Sequence, residues 1–369
     1  MRSAESSETD ASWLPSTSHP GQSEPELLSG GLSLPLFKNV PPERCSPDEQ
    51  RNIIPGRGDL RISLTAKCNL ACNYCHNEGQ KAPWLHGRKT VVTLQTIDEL
   101  LDLAARYGVR SVKFSGGDPG MFPDIVGVLK VVGSWRERYP GIVKWGIATN
   151  GVPFLNRRKF EALVTSDLDN ISIGIDSVEP GERSKPSSPT GIPSKRLVDE
   201  FVLPLLARWS DRAIKFDIVF TGELHQTLNV IRAARELGIN ASVIEVNGVM
   251  ERAHLVRAQF LELIRLAAEE FRLEPRLHEP LNEIYLFDER GHTPIKFYQD
   301  HCRDHDCGHC RMIHLRVSPA ADGWAAVPCF LQAQARTIPL AVNGKLNTSR
   351  FEDAIEHNGC GPQWPSGTS

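Results

Sequence analysis

No uninterrupted apolar run in this 369-residue chain approaches the roughly 20 residues that a membrane-spanning helix needs. The start, Met1 to Trp13, has neither the basic opening nor the apolar core of a secretory signal. Charge of one sign is not in excess either: 42 Lys and Arg against 45 Asp and Glu leave a formal net charge of −3. That balance removes any global electrostatic case for nucleic-acid or anionic-membrane binding. The expectation is a cytoplasmic protein with no nucleic-acid or membrane partner. Apolar residues at 40% and charged residues at 24% suit a globular fold, and the length allows one large domain, alone or with a small one.

Cysteine, by contrast, is plentiful and clustered. In a reducing cytosol, clustered cysteines are metal ligands or catalysts more often than disulfides. Cys68, Cys72 and Cys75 form one group, and Cys302, Cys307, Cys310 and Cys329 form a second. Cys45 and Cys360 stand alone near the ends and read as incidental thiols.

Residues 1–57 are rich in Ser, Pro, Glu and Gly with weak periodicity, the composition of a disordered or loosely docked extension. Beyond them, short β-rich runs alternate with helical periodicity. Strands are expected at Leu60–Thr65, Val112–Ser115, Val143–Ala148, Asn170–Ile175, Ile214–Thr221 and Ser242–Val246. Helices are expected at Leu94–Tyr107, Pro123–Tyr139, Arg157–Thr165, Lys195–Trp209, His225–Leu237 and Leu255–Phe271. Six consecutive βα units imply parallel strands with helices outside, in an open barrel or a doubly wound sheet, with the working rim at the strand C-terminal ends. This core is bounded at 58–274. From 275 to 335 the alternation stops. Glu283–Asp288 and Ile295–Tyr298 flank a turn and read as a hairpin, followed by the second cysteine group, a strand at Ile313–Val317 and a turn at Ala321-Asp322-Gly323. Residues 336–369 read as a wrapping or partly ordered tail.

Cys68-Asn-Leu-Ala-Cys72-Asn-Tyr-Cys75 directly follows the first strand. Three thiolates on a short loop can hold three irons of a cubane cluster and leave the fourth open to a ligand. A zinc site completed by His76 fits the same spacing. The second strand ends in Ser115-Gly116-Gly117-Asp118-Pro119, where adjacent glycines let a ligand approach the backbone. The third ends in Ala148-Thr149-Asn150-Gly151, and the fourth reads Ile171-Ser-Ile-Gly-Ile-Asp-Ser177.

In this order, at the ends of successive strands, the four elements resemble the signature of the radical S-adenosylmethionine (SAM) superfamily: its cysteine loop, GGEP turn, TNG turn and VSLDS strand. The resemblance implies an α/β fold, a partial (βα)6 TIM-like barrel with a small C-terminal iron–sulfur module. It implies that Cys68, Cys72 and Cys75 hold a 4Fe–4S cluster whose open iron takes the amino and carboxylate groups of SAM. Tyr74 would lie near the adenine. Gly116, Gly117 and Asp118, with Asp in place of the usual Glu, would meet the SAM amino group, and Thr149, Asn150, Ser172 and Asp176 the rest of the cofactor. For Ser172 and Asp176 an ordinary strand-end hydrogen bond is the alternative.

Cys307-Gly-His-Cys310 and Cys329 offer three more thiolates; on spacing, zinc with Cys302, His301, His305 or His309 as fourth ligand is the alternative. Together with Leu315-Arg316-Val317-Ser318, the Ala-Asp-Gly turn, Pro328-Cys329-Phe330 and the upstream Leu60-Arg-Ile-Ser-Leu-Thr, this segment resembles the auxiliary-cluster ("twitch") region of the MoaA family, the GTP cyclases of molybdenum-cofactor biosynthesis. That implies an auxiliary 4Fe–4S cluster on Cys307, Cys310 and Cys329, ligating substrate or, with Cys302 as fourth ligand, transferring an electron. Arg61, Lys113 and Arg316 would meet the substrate. Lys113 replaces one expected Arg, and Ser111, His314 and Ser242 stand where further basic residues are expected, whereas a triphosphate needs such partners.

The expectation is therefore a MoaA-like radical SAM enzyme with a changed, small-molecule substrate: a nucleotide, nucleoside or sugar derivative that gives up a hydrogen to a 5′-deoxyadenosyl radical. A ferredoxin- or flavodoxin-type electron donor is implied. A peptide maturase is the alternative within the class, and a zinc-stabilised binding protein the alternative outside it. No proton donor or radical quencher stands out: Tyr285, Tyr298 and His314 could serve, but each reads first as a structural residue.

Overall fold

The computed structural model describes residues 38–39, 59–75, 92–246, 253–278, 283–292, 294–299, 314–320, 323–327 and 337–356. After a short strand β1 (Lys38–Asn39), six βα units follow: β2 (Asp59–Ser63) and α1 (Leu94–Arg106); β3 (Ser111–Ser115) and α2 (Ile125–Arg138); β4 (Lys144–Thr149) and α3 (Arg157–Val164). Next come β5 (Asn170–Gly174) with the helical stretch α4 (Ser194–Leu197) and α5 (Leu203–Arg208); β6 (Ala213–Phe220) and α6 (Leu224–Glu236); β7 (Asn240–Glu245) and α7 (Ala253–Phe271). Strands β2 to β7 pair in chain order, all parallel. Each expected core element is present, with ends shifted by a residue or two.

The two faces of this sheet differ in kind. In β6, Ile214, Phe216, Ile218 and Phe220 are buried, while Lys215, Asp217 and Val219 between them are only half-buried. The apolar set, with Ile62, Phe114, Ile147 and Ile173, packs in one core with Leu100, Val128 and Ile231 of the surrounding helices. Each such fully buried side chain contributes about 1.5–3 kcal/mol. The opposite positions carry Arg61, Lys113, Gly146, Ser172, Gly174, Lys215, Asp217 and Ser242, which are small or polar. No layer of large aliphatic side chains fills that side, so the curled sheet encloses a polar interior.

Curling is visible in the contacts. Lys113 Nζ on β3 donates to Ser172 Oγ on β5 at 2.8 Å, reaching across β4 where Gly146 has no side chain. Lys215 on β6 feels the charge of Arg61 on β2, four strands away, roughly 19 Å in a flat sheet. The sheet does not close: its order runs from β1 at one edge to the last strand at the other. The fold is α/β, a partial TIM-like barrel.

Past the core, β8 (Glu274–His278), β9 (Glu283–Phe287) and β10 (Ile295–Tyr298) extend the β7 edge, β10 joining β7 in parallel and β9 in an antiparallel hairpin. The next strand, β11 (His314–Ala320), crosses to the other edge and pairs in parallel with β2; β12 (Gly323–Ala326) and β13 (Ile338–Pro339) continue outward. The strands of segment 275–335 thus flank the core on both sides within the same sheet, and Phe37–Ser369 forms one compact unit. Part of the expected extension is also built in, since β1 pairs with Arg276–Leu277 of β8. In the tail, the hairpin β14 (Ala341–Val342) and β15 (Lys345–Leu346) leads to α8 (Thr348–Glu356), whose Phe351 is fully buried against Tyr107, with ring centres 5.5 Å apart. The expected helix over 195–209 is interrupted by a π turn at Val198–Val202. Pro204, which cannot supply an N–H to the ladder, stands at the start of the restarted helix.

Candidate active site

The four sequence motifs meet on one rim, at the C-terminal ends of β2 to β5. The cysteine loop is fastened to the Gly-Gly turn: Leu64 N donates to Ser115 O (2.9 Å), Gly117 N to Thr65 O (2.6 Å) and Asp118 N to Lys67 O (2.8 Å). The two glycines make this approach feasible. A Cβ on Gly116, whose φ is +144°, would stand 2.4 Å from Thr65 O, and one on Gly117 would stand 2.4 Å from Lys67 O.

Within the loop, Cys75 N donates to Cys72 O (3.1 Å) and Ala71 N to Ser188 Oγ (3.0 Å). Cys68 Sγ accepts from Leu70 N at 3.3 Å and from Asn150 Nδ2 at 3.7 Å. None of the three thiols is in a disulfide. Burial pushes the Cys68 thiol up to about 11, and the neighbouring Asp118, Cys75 and Cys72 add to this against the Leu70 N–H. A cationic centre would relieve the disfavoured Cys68 thiolate, which fits a metal cluster. A cubane takes its thiolates on separate irons, so the three cysteines need not converge on one point. His76 lies outside the described residues.

Asp118 is buried and fully engaged. It accepts from Gly120 N (2.8 Å), Asn150 N (2.8 Å) and Thr149 Oγ1 (2.9 and 3.0 Å), and so ties the end of β3 to that of β4. Burial pushes its carboxyl up to about 6 against these hydrogen bonds. Asn150 also bonds Asn69 Oδ1 of the cysteine loop at 3.1 Å.

Asp176 is likewise enclosed. Its Oδ1 accepts from Lys185 Nζ (2.8 Å) and Val219 N (3.0 Å), and its Oδ2 from the Tyr74 hydroxyl. Burial first, then the adjacent Asp176, holds the Tyr74 phenol far above its ordinary range. Tyr74 and Asp176 form one wall of a cavity of about 480 Å³ lined also by Glu182, Arg183, Thr221 and Gln226. Lys185 and Ser188, which brace Asp176 and the cysteine loop, belong to a Ser- and Pro-rich loop with no periodicity, and nothing in the sequence marked them.

Below the rim lies the polar interior. Arg316 of β11, Arg61 of β2 and Lys113 of β3 are consecutive register partners, so the three expected substrate residues share one row. Burial, then the charge of Lys215, presses the Lys113 ammonium well below its ordinary range. Lys215 pairs with Asp217 at 2.9 Å; burial opposes its charge, but Asp217 outweighs burial and raises its pKa. The Asp217 carboxyl is held low by Lys215 and Lys113 despite its burial. Farther round, Lys296 pairs with Glu283 at 2.6 Å, and Tyr285 OH donates to Glu283 Oε2 at 2.5 Å. Lys215, Asp217, Glu283 and Lys296 were missed as interior residues, though the strict alternation of β6 offered the signal for the first two. Ser111 and His314 flank Asp59 in register, and Ser242 accepts from Lys215 Nζ at 3.2 Å. Tyr285 and Tyr298 both face the Lys296 ammonium, at 4.6 and 4.5 Å from their ring centres. Cys302, Cys307, Cys310, Cys329, His301, His305 and His309 lie outside the described residues.

The chain is 34% identical over 150 residues to a probable GTP 3′,8-cyclase of Methanosarcina mazei, covering 41% of each protein. It is 34% identical over 123 residues to the GTP 3′,8-cyclase of Streptomyces coelicolor, covering 33% of this chain and 34% of that one. The matches thus span about a third to two-fifths of these relatives' length. Among solved structures, Streptococcus suis SuiB bound to S-adenosylmethionine superposes with a TM-score of 0.53 at 15% identity, over 81% of this chain and 62% of that one. Native anSMEcpe with bound AdoMet gives 0.54 at 12% identity, over 82% of each. Both share the fold. The radical SAM superfamily pattern matches residues 62–250, which hold the cysteine loop, the Gly-Gly turn and the strand ends described above, and the chain belongs to the radical SAM superfamily.

Proposed function

We propose that this radical SAM enzyme is MoaA-like and takes a hydrogen from a small molecule, a nucleotide, nucleoside or sugar derivative, held inside the barrel. The observation that carries the reading is the polar interior beneath the cysteine rim, with Arg61, Lys113 and Arg316 in one row and Lys215 and Asp217 beyond them. Cys68, Cys72 and Cys75 would hold the 4Fe–4S cluster that the family uses. When bound, cluster and SAM supply a 5′-deoxyadenosyl radical on one-electron reduction, for which a ferredoxin- or flavodoxin-type protein is the donor. Tyr74 and Asp176 wall the cavity beside the loop, where they orient SAM; the helix-packed barrel keeps bulk water from the reacting centre. Lys215 keeps its proton at Nζ beside Asp217 and offers it as a hydrogen bond rather than as a mobile acid.

The second cysteine group is read as an auxiliary 4Fe–4S site in a module over 275–335. Two facts support this. Strand β11 begins four residues after Cys310, and Val327, two before Cys329, hydrogen-bonds Arg316 at 2.9 Å, so the chain enters and leaves this hairpin at one end. That end lies beside the N-terminal end of β2, opposite the cysteine rim. The reading as a peptide maturase draws on fold likeness alone.

The test is anaerobic reconstitution with iron and sulfide, followed by dithionite and SAM. Expected are about eight irons per chain and 5′-deoxyadenosine. Cys68→Ala, Cys72→Ala or Cys75→Ala should abolish deoxyadenosine. About four irons with activity would remove the auxiliary site, and zinc with no deoxyadenosine would overturn the reading.

A further inference from the structure

The cysteine loop is docked twice, and the two docks differ in kind. On the Cys68 side the dock is backbone, with Leu64, Thr65 and Lys67 tied to Ser115, Gly117 and Asp118. On the Cys72 side it is made by side chains of one turn, residues 184–188, where Ser188 N donates to Lys185 O at 2.9 Å. Ser188 Oγ accepts from Ala71 N at 3.0 Å, next to Cys72. Lys185 reaches the same stretch through a relay. Its Nζ donates to Asp176 Oδ1 at 2.8 Å, and Asp176 Oδ2 accepts from the hydroxyl of Tyr74, which stands between Cys72 and Cys75. That hydroxyl also lies beside the Cys72 side chain, and Lys185 Nζ faces the Tyr74 ring at 5.7 Å from its centre.

The sequence makes room for this reach. Gly174 has no side chain, and a Cβ there would stand 3.3 Å from both Cε and Nζ of Lys185. With 8% of its side chain exposed, Lys185 is far more enclosed than lysines ordinarily are. A buried ion pair is a poor source of stability, because desolvating two charges offsets their attraction. Fixed geometry is what it provides. Turning Asp176 would break its contacts with the ammonium, with Val219 N (3.0 Å) and with the phenol together. Hydrogen-bonded groups behind metal ligands set the orientation of those ligands.

Building on the reading of Cys68, Cys72 and Cys75 as cluster ligands, we propose that Lys185, acting through Asp176 and the Tyr74 hydroxyl, is a positioning residue for the radical-generating site. It fixes where Cys72 and Cys75 stand relative to Cys68, and so how the cluster meets SAM. It acts through the loop and not on SAM or substrate.

The test uses the anaerobically reconstituted full chain as wild type, Tyr74→Phe, Lys185→Met and the double variant. Two readings are taken: the electron paramagnetic resonance spectrum of the dithionite-reduced protein before SAM is added, and SAM affinity by calorimetry. Tyr74→Phe keeps the ring and removes only the hydroxyl. Each single variant should alter the spectrum and weaken SAM binding by about tenfold or more. Because the two residues lie in series, the double variant should lose no more than Tyr74→Phe alone. Losses that multiply in the double variant would overturn the proposal, as would wild-type readings in either single variant. Weakened SAM binding with an unaltered spectrum would overturn it too, since a group that touches SAM directly behaves that way. Should Lys185→Met fail to fold, Tyr74→Phe still decides, because the hydroxyl is the relay's only link to the loop. A wild type that forms no deoxyadenosine would overturn the reading above and this proposal with it; an active wild type beside variants that match it would overturn this proposal alone.

Discussion

Asp118 and Asp176 are two buried carboxylates beyond the C-terminal ends of β3 and β5, with β4 between them, and they differ in the charge of their partners. Asp118 has only neutral donors, so burial lifts it from 3.8 to about 6. Its folded form then holds a proton more tightly than the unfolded chain, and between these values stability falls as pH rises. Asp118→Asn removes this titration. The stability difference between wild type and variant, from urea midpoints of the cluster-free chain, should decline between pH 3.8 and about 6 and level off above it. A pH-independent difference would show that Asp118 titrates normally. Asp176 instead has a cation, Lys185, at 2.8 Å, with less than a tenth of either side chain exposed. Lys185→Met leaves a buried carboxylate uncompensated and should cost about 3–5 kcal/mol, while adding Asp176→Asn should recover part of that loss. Equal urea midpoints for the single variant and wild type would show that the pair is idle.

At the level of elements, the cysteine loop is held by backbone rather than by side chains. Gly117→Ala puts a methyl carbon against Lys67 O, a backbone atom that cannot swing aside, so the loop itself must shift. Iron bound per chain after reconstitution should drop while the circular dichroism spectrum stays that of the wild type; undiminished iron would mean the loop has slack. Phe351→Ala, on the far side of α1, should cost about 3–5 kcal/mol without changing iron content. The six βα units were legible because runs such as Ile214-Lys-Phe-Asp-Ile alternate cleanly, with helical stretches between them. Strand β8 was not, because Glu-Pro-Arg-Leu-His carries a proline and two charged residues, and only pairing with β9 on one side and β1 on the other makes it a strand. The π turn at Val198–Val202 was hidden for a related reason, since apolar spacing over 195–209 continues through it. The cysteines and strand-end motifs were readable because ligand chemistry fixes residue type and spacing. The Lys185 and Ser188 braces act through three-dimensional closure, which leaves no periodic trace.

For the molecule as a whole, the cysteine loop proposed to hold the cluster and the hydrophobic core occupy different layers. Removing iron with a chelator should therefore loosen the rim without melting the core. Amide exchange should quicken at Leu64, Gly117 and Asp118, whose N–H groups tie loop to turn, and stay unchanged at Leu100 and Val128. Uniform acceleration across both sets would mean that metal and core unfold as one.

The partnership of β2 with β11 has a consequence for synthesis. Leu60 leaves the ribosome early, yet the strand that covers its outer edge, at Leu315, is made only after all six βα units. Until then one flank of the sheet offers an unpaired strand edge to any extended chain nearby. A ribosome stalled between Phe271 and Leu315 would carry a core with its helices in place and that edge still open, the species a chaperone would be expected to meet.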